Sequence, residues 1–485
     1  MSDIKSLKPE PLWKHFYNLT QIPRPSKKEA KAVELVEQFG KELGLETIKD
    51  DVGNVIIKKP ATPGNENKKT VILQGHLDMV PQKNTGTDFD FEKDPIQAYV
   101  DGEVVTAKGT TLGADNGIGV AAAMAVLESK EIEHGPVEAL FTVDEETGMT
   151  GANALKPGIL DGEILINMDS EDEGELYIGC AGGLETNAIF HCKEDNVPSN
   201  SKAFNIEVSG LKGGHSGLDI HLGRGNANKV LNRILWVANE NLDMRIADIE
   251  AGSLRNAIPR EATATITIEE THVGELKNFV EEVKEAVKNE LSFVEPDINI
   301  ELKETDIPSS VIDKTTQDNL IRAIYGCPHG VIRMSDAMEG LVETSTNLAV
   351  IKKEGNQIRI QTLQRSSVDT AKEDLGNMIR SVFELAGAEV LHEGAYPGWK
   401  PNPDSPILKT MENVYKDNFG KEPKVTAIHA GLECGIISQA YPGLDMISFG
   451  PTINYPHSPD EEVNIETVQK FWDFLVYTLK NVPEK

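Results

Sequence analysis

The stretch KTVILQGHLDMV, residues 69–80, decides the fold class of this 485-residue chain. It begins as a short apolar run with few charges, which is typical of a strand buried on both faces of a mostly parallel sheet. Two further runs, PVEALFTV (136–143) and GEILINM (162–168), have the same character. Between the first two, the small and apolar segment GIGVAAAMAVLESK (117–130) predicts a helix packed closely against the sheet. This alternation of strands and helix predicts an α/β domain with a doubly wound sheet.

The character of the chain changes after Gly183 and changes back near residue 399. Residues 184–398 alternate β-rich runs with amphipathic helices, which indicates an α+β domain. We therefore predict a catalytic domain in two segments, 1–183 and 399–485, with an α+β lid domain inserted at 184–398. Nearer the amino terminus, Ser26 and Glu29 have the spacing of a capping box, which predicts a helix that begins there.

The inserted domain contains two similar stretches, at 255–287 and 346–385. In each, an asparagine precedes two strand-like runs, a polar turn and an acid-rich amphipathic helix. Two copies are a weak repeat signal, so internal duplication of the lid is a hypothesis.

The composition excludes several classes of protein. With 78 acidic and 48 basic side chains the formal net charge is −30, which argues against binding to nucleic acid. No apolar run approaches the ~18 residues that a membrane span needs, and the first residues lack the apolar core of a secretion signal. The four cysteines show no CxxC pairing, which favours reduced structural thiols over disulfides or a zinc ribbon. We expect a cytoplasmic protein.

Acidic and histidine side chains follow each predicted strand, at the sheet edge where ligands bind in open α/β folds. They are His76 and Asp78 after the first strand, Asp115 in the Gly-rich turn into the helix, Glu145 and Glu146 after the second strand, Asp169 after the third, and His457 in the loop NYPHSPDEE (454–462). Taken singly, each has an ordinary explanation as a loop hydrogen bond, a helix cap or a solvated acid. Together, these ordinary explanations would require five separate segments to carry such residues by coincidence, in this order along the chain.

The residue types suit a centre with two metal ions. Two zinc ions about 3.5–4 Å apart need a bridging carboxylate, further His or carboxylate ligands, and an open position for water and substrate. The adjacent acids Glu145 and Glu146 can divide into a general base and a ligand. Asp78, on the same side of the chain as His76, can orient the imidazole. The set predicts a metal-dependent hydrolase.

Five motifs, GHLDMV, GADNGIGVA, DEETGMTGA, NMDSED and HSPDE, resemble in order those of the co-catalytic zinc peptidases, a family with carnosinases, carboxypeptidase G-type enzymes and aminoacylases. The residues within these motifs and the length of the chain are similar to those of the Xaa-His dipeptidases in this family. The resemblance implies two divalent ions per chain, Zn²⁺ or alternatively Co²⁺ or Mn²⁺. It also implies the following roles: Asp115 bridges the ions, His76 and Asp169 complete one, Glu146 and His457 complete the other, Glu145 is the base, and Asp78 orients His76.

The same resemblance assigns residues beyond the metal centre. His215, in LKGGHSGLDIH (211–221), would stabilise the oxyanion, and Asn256 and Arg365 would contact the substrate backbone and carboxylate. Gly431 would offer a backbone contact near the substrate. The roles of His221 and His429 remain open between structure and specificity.

The function implied is hydrolysis of dipeptides, with a preference for Xaa-His substrates, including carnosine-like ones. An aminotripeptidase or an N-acyl amino acid deacylase on the same scaffold is the first alternative. A non-catalytic metal-binding protein is the second, and the non-ligating Glu145 argues against it. We expect a small peptide substrate and no nucleic-acid or membrane partner. A homodimer is one expectation, and a monomer the other if the lid is duplicated, with Asn347 as the counterpart of Asn256.

Overall fold

The computed structural model describes residues 3–485. In the first part of the chain the strands are β1 (Glu46–Lys49), β2 (Val55–Lys59), β3 (Val71–His76), β4 (Ala98–Asp101), β5 (Val104–Ala107), β6 (Val137–Thr142), β7 (Ile164–Asn167) and β8 (Glu175–Cys180), and the helices are α1 (Glu10–Thr20), α2 (Ala30–Glu42), α3 (Ala114–Glu128), α4 (Glu145–Gly148) and α5 (Thr150–Ala154).

The middle of the chain holds β9 (Gly182–His191), β10 (Glu194–Asp195), β11 (Ser201–Ser209), β12 (Gly214–His215), β13 (Arg245–Ala251), β14 (Ala257–Ile258), β15 (Ala262–Glu269), β16 (Asn299–Thr305), β17 (Val311–Ile312), β18 (Gly330–Met334), β19 (Val342–Glu354), β20 (Gln357–Ser366) and β21 (Glu389–Tyr396), with helices α6 (Ala227–Leu242), α7 (Val273–Glu290), α8 (Lys314–Gly326) and α9 (Asp369–Leu385). The last part holds β22 (Lys424–Ile428), β23 (Asp445–Ser448), β24 (Ile453–Asn454) and β25 (Glu462–Asn464), with α10 (Pro406–Phe419), α11 (Glu433–Ala440) and α12 (Ile465–Lys480).

These elements form two compact units, and the chain crosses between them more often than a simple insertion requires. The first unit comprises residues up to 179 together with 401–427 and 432–485, and the second comprises 180–400 and 428–431. The long boundaries lie within four residues of those expected from the sequence. The segment 428–431 was not anticipated, because four residues carry no compositional signal of their own.

An eight-stranded sheet organises the first unit, in the order β1-β2-β6-β3-β7-β23-β8-β22. Its centre is parallel, since β3 pairs in parallel with β6 and β7, and β23 with β7. Every residue of β3, β6 and β7 is buried, which explains why these strands appear as continuous apolar runs. Helix α3 is also buried along nearly its whole length, and its small side chains allow the close packing. The predicted α/β class is confirmed.

The capping box predicted at Ser26 is wrong. Helix α2 begins at Ala30, and the residue before it, Glu29, caps no backbone N–H with its side chain. Lys27 has a φ of 66°, which breaks the helical path, and the Ser26 hydroxyl donates instead to the carbonyl of Met79 at 3.3 Å. A tertiary hydrogen bond has therefore replaced the local one.

A nine-stranded sheet organises the second unit, with its main path in the order β16-β11-β15-β13-β19-β20-β9-β21. Its two halves have matching topology. The order β11-α6-β13-β15-α7-β16 along the chain repeats as β9-α8-β19-β20-α9-β21, and each half places these strands in the same spatial order. The halves join where β13 pairs antiparallel with β19. This shared topology supports internal duplication, with the first copy inserted into the second.

Two further observations concern the whole described chain. None of the four cysteines forms a disulfide, and all four are buried. Between residues 3 and 485, no helix combines the length and apolar character needed to cross a bilayer.

Candidate functional site

The first unit brings all five sequence-predicted metal ligands together at the carboxyl edge of its parallel strands. His76 is the last residue of β3, and Asp169 follows β7 by two residues. Glu146 lies in α4, just after β6, and Asp115 lies in the first turn of α3 with non-helical dihedral angles. His457 comes from the loop before β25, in the left-handed region with a φ of 58°.

The two carboxylate oxygens of Asp115 face different partners. Oδ1 lies 3.0 Å from Nε2 of His76, and Oδ2 lies 3.1 Å from Nε2 of His457. The same nitrogen of His76 is 3.2 Å from Asp169 Oδ1, and that of His457 is 3.1 Å from Glu146 Oε2. The cluster therefore consists of two His–carboxylate pairs that share Asp115, in the same grouping that the family resemblance implies.

The electrostatics of this cluster suit divalent cations. The hydrogen bonds that the His457 ring donates to the carboxylates of Asp115 and Glu146 raise its pKa to about 11. Burial raises the pKa of Asp169 to about 6, and the neighbouring acids Asp115 and Glu146 add to that effect. Oε1 of Glu146 is buried and has no hydrogen-bond partner among residues 3–485. Carboxylate oxygens and imidazole nitrogens that converge in this way are the donor set of ions such as Zn²⁺, and ligand atoms of His76, Asp115 and Glu146 lie within 4.8 Å of one another.

Asp78 connects the His76 strand to the segment that carries Glu145 and Glu146. Its Oδ1 lies 3.4 Å from Nδ1 of His76, and its carboxylate accepts the backbone N–H groups of Glu145 (3.0 Å) and Glu146 (3.3 Å). Burial alone would raise the pKa of Asp78, but the hydrogen bond and charge of His76 lower it to about 2. Asp78 is thus an ionised, buried group beside the imidazole of His76, whose Nδ1 also lies 3.2 Å from the backbone carbonyl of Asp78.

Glu145 differs from the five clustered residues because its carboxyl group is not paired. Within the described residues it forms no side-chain hydrogen bond and no ion pair, although it is only partly exposed. Burial raises its pKa well above the ordinary value, and the charges of Asp169, Glu146 and Glu433 contribute. An unpaired carboxylate with a raised pKa beside a candidate metal centre is suited to proton transfer.

Two buried side chains that the sequence did not single out hold the backbone around Asp115. The carboxylate of Glu461 accepts four successive N–H groups, from Leu112 (2.7 Å), Gly113 (3.0 Å), Ala114 (2.7 Å) and Asp115 (3.3 Å). The position of Glu461 inside the quoted NYPHSPDEE loop was the one available signal.

The second side chain is Arg24, which lies between two prolines in the sequence. Its Nη1 donates to the carbonyls of Leu77 (3.0 Å) and Asp78 (2.9 Å), and its Nη2 donates to the carbonyl of Gly113. Nothing in the local sequence identifies it, because its partners are backbone carbonyls more than fifty residues away.

In the second unit, Arg365 lies among neutral hydrogen-bonding groups. Nε donates to Ser216 Oγ at 3.2 Å, Nη1 donates to Tyr396 Oη at 3.0 Å, and Nη2 lies 3.4 Å from Nε2 of His215. The Arg365 side chain is 5% exposed, and no carboxylate among the described residues pairs with it. A buried guanidinium without a counter-ion is suited to binding an anionic ligand group.

The proton on His215 can be placed from its neighbours. Nδ1 accepts the backbone N–H groups of Gly217 (3.2 Å) and Leu218 (3.0 Å), so it carries no hydrogen. Burial, assisted by the charge of Arg365, lowers the pKa of His215 to about 4. The ring is therefore neutral at pH 7 with its hydrogen on Nε2, which makes that atom a hydrogen-bond donor.

The segment that carries Asn256 adjoins His215, because β12 and β14 pair through Gly214–Ile258 and His215–Ala257. The Asn256 carbonyl accepts the N–H of Ser216 at 2.8 Å, and its side chain is exposed. Asn347, fully buried in β19, donates from Nδ2 to the carbonyls on both sides of Asn256, at Arg255 (3.2 Å) and Ala257 (2.7 Å). Asn347 thus supports the Asn256 turn.

The segment 428–431, which contains Gly431, is bound to the second unit by backbone and side-chain contacts. The N–H of Ala181 donates to the carbonyls of Ile428 (3.1 Å) and Ala430 (2.9 Å). His429 is buried and hydrogen-bonds through Nε2 to Ser345 Oγ at 2.7 Å. Burial, with the charge of Arg365, lowers its pKa to about 3. These contacts give His429 a structural role, whereas His221 is exposed.

Comparisons with known proteins agree with the motifs. The chain is 47% identical, over 100% of both sequences, to the cytosol non-specific dipeptidase of Escherichia coli (strain K12). A crystal structure of aminoacylhistidine dipeptidase from Vibrio alginolyticus superposes with a TM-score of 0.93 at 50% identity, covering 100% of this chain and 99% of that one. An aminopeptidase from Bacillus cereus shares the fold, with a TM-score of 0.63 at 18% identity over 98% of this chain and 99% of its own. The model of Peptidase family M20/M25/M40 matches residues 72–481, which confirms the family predicted from the motifs: the chain belongs to this peptidase family.

Proposed function

We propose that the protein is a dipeptidase that uses two divalent metal ions and prefers Xaa-His substrates. The observation that carries the proposal is the position of Asp115, whose two oxygens face separate His–carboxylate pairs. The names of the Escherichia coli and Vibrio alginolyticus relatives, both similar over the full chain, support the substrate class.

In this proposal His76 and Asp169 would hold one ion, Glu146 and His457 would hold the other, and Asp115 would be shared between them. Bound there, divalent ions would polarise the scissile carbonyl and lower the pKa of the attacking water. Zn²⁺ suits the mixed imidazole and carboxylate donors, and Co²⁺ and Mn²⁺ are alternatives. The chain contributes the fixed positions of these ligands, because Asp78 orients His76 and also holds the segment of Glu146.

Glu145 is the general base. Its unpaired carboxylate takes a proton from the attacking water as the new C–O bond forms. It then returns that proton to the leaving amine as the C–N bond breaks, so that the products are two free amino acids. A raised pKa favours the first half of this cycle, because a more basic carboxylate takes the proton from water more readily.

The second unit supplies groups for the substrate. His215, neutral with its hydrogen on Nε2, donates to the developing oxyanion, where a pre-oriented donor is most effective. Arg365 binds the carboxyl-terminal carboxylate, which favours short peptides with a free carboxyl group. Asn256 and a backbone contact at Gly431 complete substrate binding.

We also propose that the second unit is a duplicated lid. Its first half carries His215 and Asn256, and its second half carries Arg365, so one chain holds both sets of groups. A monomer would then be sufficient for activity, although a homodimer is compatible with it. We propose a cytoplasmic location from the name of the Escherichia coli relative.

The test is a turnover panel with metal titration. Xaa-His dipeptides, other dipeptides, tripeptides and N-acyl amino acids are assayed after treatment with a chelator and after addition of zinc, cobalt or manganese. We expect dipeptides to be cleaved fastest, with Xaa-His peptides first among them, and activity to be lost with chelator and restored by metal. Preferred cleavage of tripeptides or N-acyl amino acids would replace the dipeptidase assignment. Activity that resists chelation would contradict the proposed centre.

A further inference from the structure

Glu461 ties the backbone before and at Asp115 to the loop of His457. It lies four residues after His457 and is 2% exposed, and its two oxygens each accept two of the four N–H groups of residues 112–115. Its own backbone is fixed as well, since its N–H donates to the carbonyl of Ser458 (3.0 Å) and its carbonyl accepts the hydroxyl of Thr106 (2.8 Å). Movement of the His457 loop would therefore displace Asp115.

Arg24 ties the same backbone to the His76 side of the centre. Its guanidinium donates to the carbonyls of Leu77 and Asp78, the two residues after His76, and also to the carbonyl of Gly113, two residues before Asp115. Like Glu461 it is 2% exposed. It forms no ion pair with a carboxylate among residues 3–485. Its positive charge therefore acts on the nearby carboxylates of Asp78, Asp115 and Glu146 without a direct contact to any one of those carboxylates.

Two glycines of the GADNGIG motif make room for this arginine. Gly113 has a φ of 74°, and a Cβ atom there would lie 2.5 Å from Nη2 of Arg24. At Gly117 a Cβ atom would lie 2.7 Å from the same nitrogen. The turn that presents Asp115 thus leaves room for the guanidinium of Arg24 because it has glycine at these two positions.

We propose that Glu461 and Arg24 are positioning residues that couple Asp115 to different halves of the metal centre, Glu461 to the His457 half and Arg24 to the His76 half. The inference depends on the proposed dinuclear centre. The two residues are distinguishable, because weakening one connection should lower the affinity for one of the two ions more than that for the other.

The experiment is a metal titration of Glu461→Gln and Arg24→Lys in the full-length chain, with Co²⁺ as a spectroscopic probe. In Glu461→Gln an amide NH₂ group replaces one accepting oxygen, so two backbone N–H groups lose their acceptor. In Arg24→Lys one nitrogen on a shorter side chain replaces the two that donate separately, Nη1 to Leu77 and Asp78 and Nη2 to Gly113, so the planar group that spans the two segments is lost. Glu462→Gln is the matched control for the first variant, because Glu462 is the next residue but its carboxylate accepts from Asn454 at 3.0 Å instead.

We expect each variant to bind one Co²⁺ with an affinity near that of the unmodified chain and the second at least about tenfold more weakly. The one-cobalt spectrum of Glu461→Gln should match that of His457→Ala, in which the His76 half remains. The spectrum of Arg24→Lys should match that of His76→Ala. The control should bind two ions as the unmodified chain does.

Equal weakening of both ions in each variant, or no weakening, would overturn the proposal. If Glu461→Gln does not fold, as judged by circular dichroism, Glu461→Asp tests the same connection with a carboxylate that is one methylene shorter. Gly113→Ala does so for Arg24, through the short contact with Nη2. Binding of fewer than two ions by the unmodified chain would instead refute the proposed centre, so the two failures are distinguishable.

Discussion

The hydroxyl oxygen of Tyr396 accepts a hydrogen bond from Nη1 of Arg365 at 3.0 Å. Because that oxygen is the acceptor, the Tyr396 hydroxyl hydrogen remains available to a further acceptor. The hydroxyl oxygen of Ser216 likewise accepts a hydrogen bond from Nε of Arg365, at 3.2 Å. The guanidinium is therefore oriented by two neutral groups that leave its charge uncompensated.

Replacement of Arg365 by Met should abolish the preference for a free carboxyl terminus. A buried arginine with no acidic partner contributes most when a carboxylate binds it. We expect kcat/KM for a dipeptide to fall on the order of 100-fold, and that for the corresponding dipeptide amide to change little. The ratio of the two kcat/KM values measures the effect. A matched control is Arg233→Met, since Arg233 is half-buried and pairs with Glu290. An equal loss on both substrates would argue against a carboxylate contact.

Replacement of Glu145 by Gln should remove turnover and leave the metal centre intact. The loss of a general base costs about 10²–10⁴-fold in kcat. Since the Glu145 side chain forms no hydrogen bond or ion pair with the five clustered side chains, metal content should remain near two ions per chain. Steady-state kinetics and elemental analysis on the same preparation are the measurements. Retained activity would remove Glu145 as the base, and lost metal would make it a ligand.

Replacement of Asn347 by Ala should lower kcat without changing metal content. Asn347 donates to the carbonyls on both sides of Asn256, and the alanine variant removes the side-chain donor from both. The turn next to His215 should then become less ordered. We expect about a tenfold decrease in kcat. Asn241→Ala is the control, because Asn241 is exposed and bonds only within its own helix. A decrease confined to thermal stability, with unchanged kcat, would contradict a role in positioning Asn256.

Acid should destabilise the second unit through its buried histidines. Burial, with the charge of Lys229, lowers the pKa of His329 from 6.5 to about 4. Between pH 6.5 and pH 4 the unfolded chain binds a proton at His329 and the folded chain does not. Lowering the pH through this range therefore favours the unfolded state. The contribution of neutral His329 to the free energy of unfolding is complete above pH 6.5 and is lost as the pH falls to 4. The slope is up to about 1.4 kcal/mol per pH unit.

Denaturant unfolding at several pH values measures that slope. His329→Gln should flatten it between pH 4 and 6.5, whatever the variant does to the stability at pH 7. His191→Gln, at an exposed position, should leave it unchanged. An unaltered slope in His329→Gln would mean that His329 does not remain neutral in the folded protein.

Continuous apolar runs and strand-end position were enough to predict the α/β class and the residues that converge at the sheet edge. His76 ends β3 and Asp169 follows β7 by two residues, and the carboxyl ends of neighbouring parallel strands meet at one edge of the sheet. Arg24 and Glu461 escaped prediction because their partners are backbone groups, which have no sequence signature. The capping box predicted at Ser26 was wrong for the same reason, since the Ser26 hydroxyl bonds to the distant backbone carbonyl of Met79.

The four-residue segment 428–431 has a consequence for the order of synthesis. Ala181 is translated early, but the carbonyls that accept its N–H, on Ile428 and Ala430, emerge nearly 250 residues later. Ser345 is likewise translated before its hydrogen-bond partner His429. The second unit therefore leaves the ribosome with a gap that only the returning chain fills. A nascent polypeptide that stops before residue 428 should carry that gap as its least protected region.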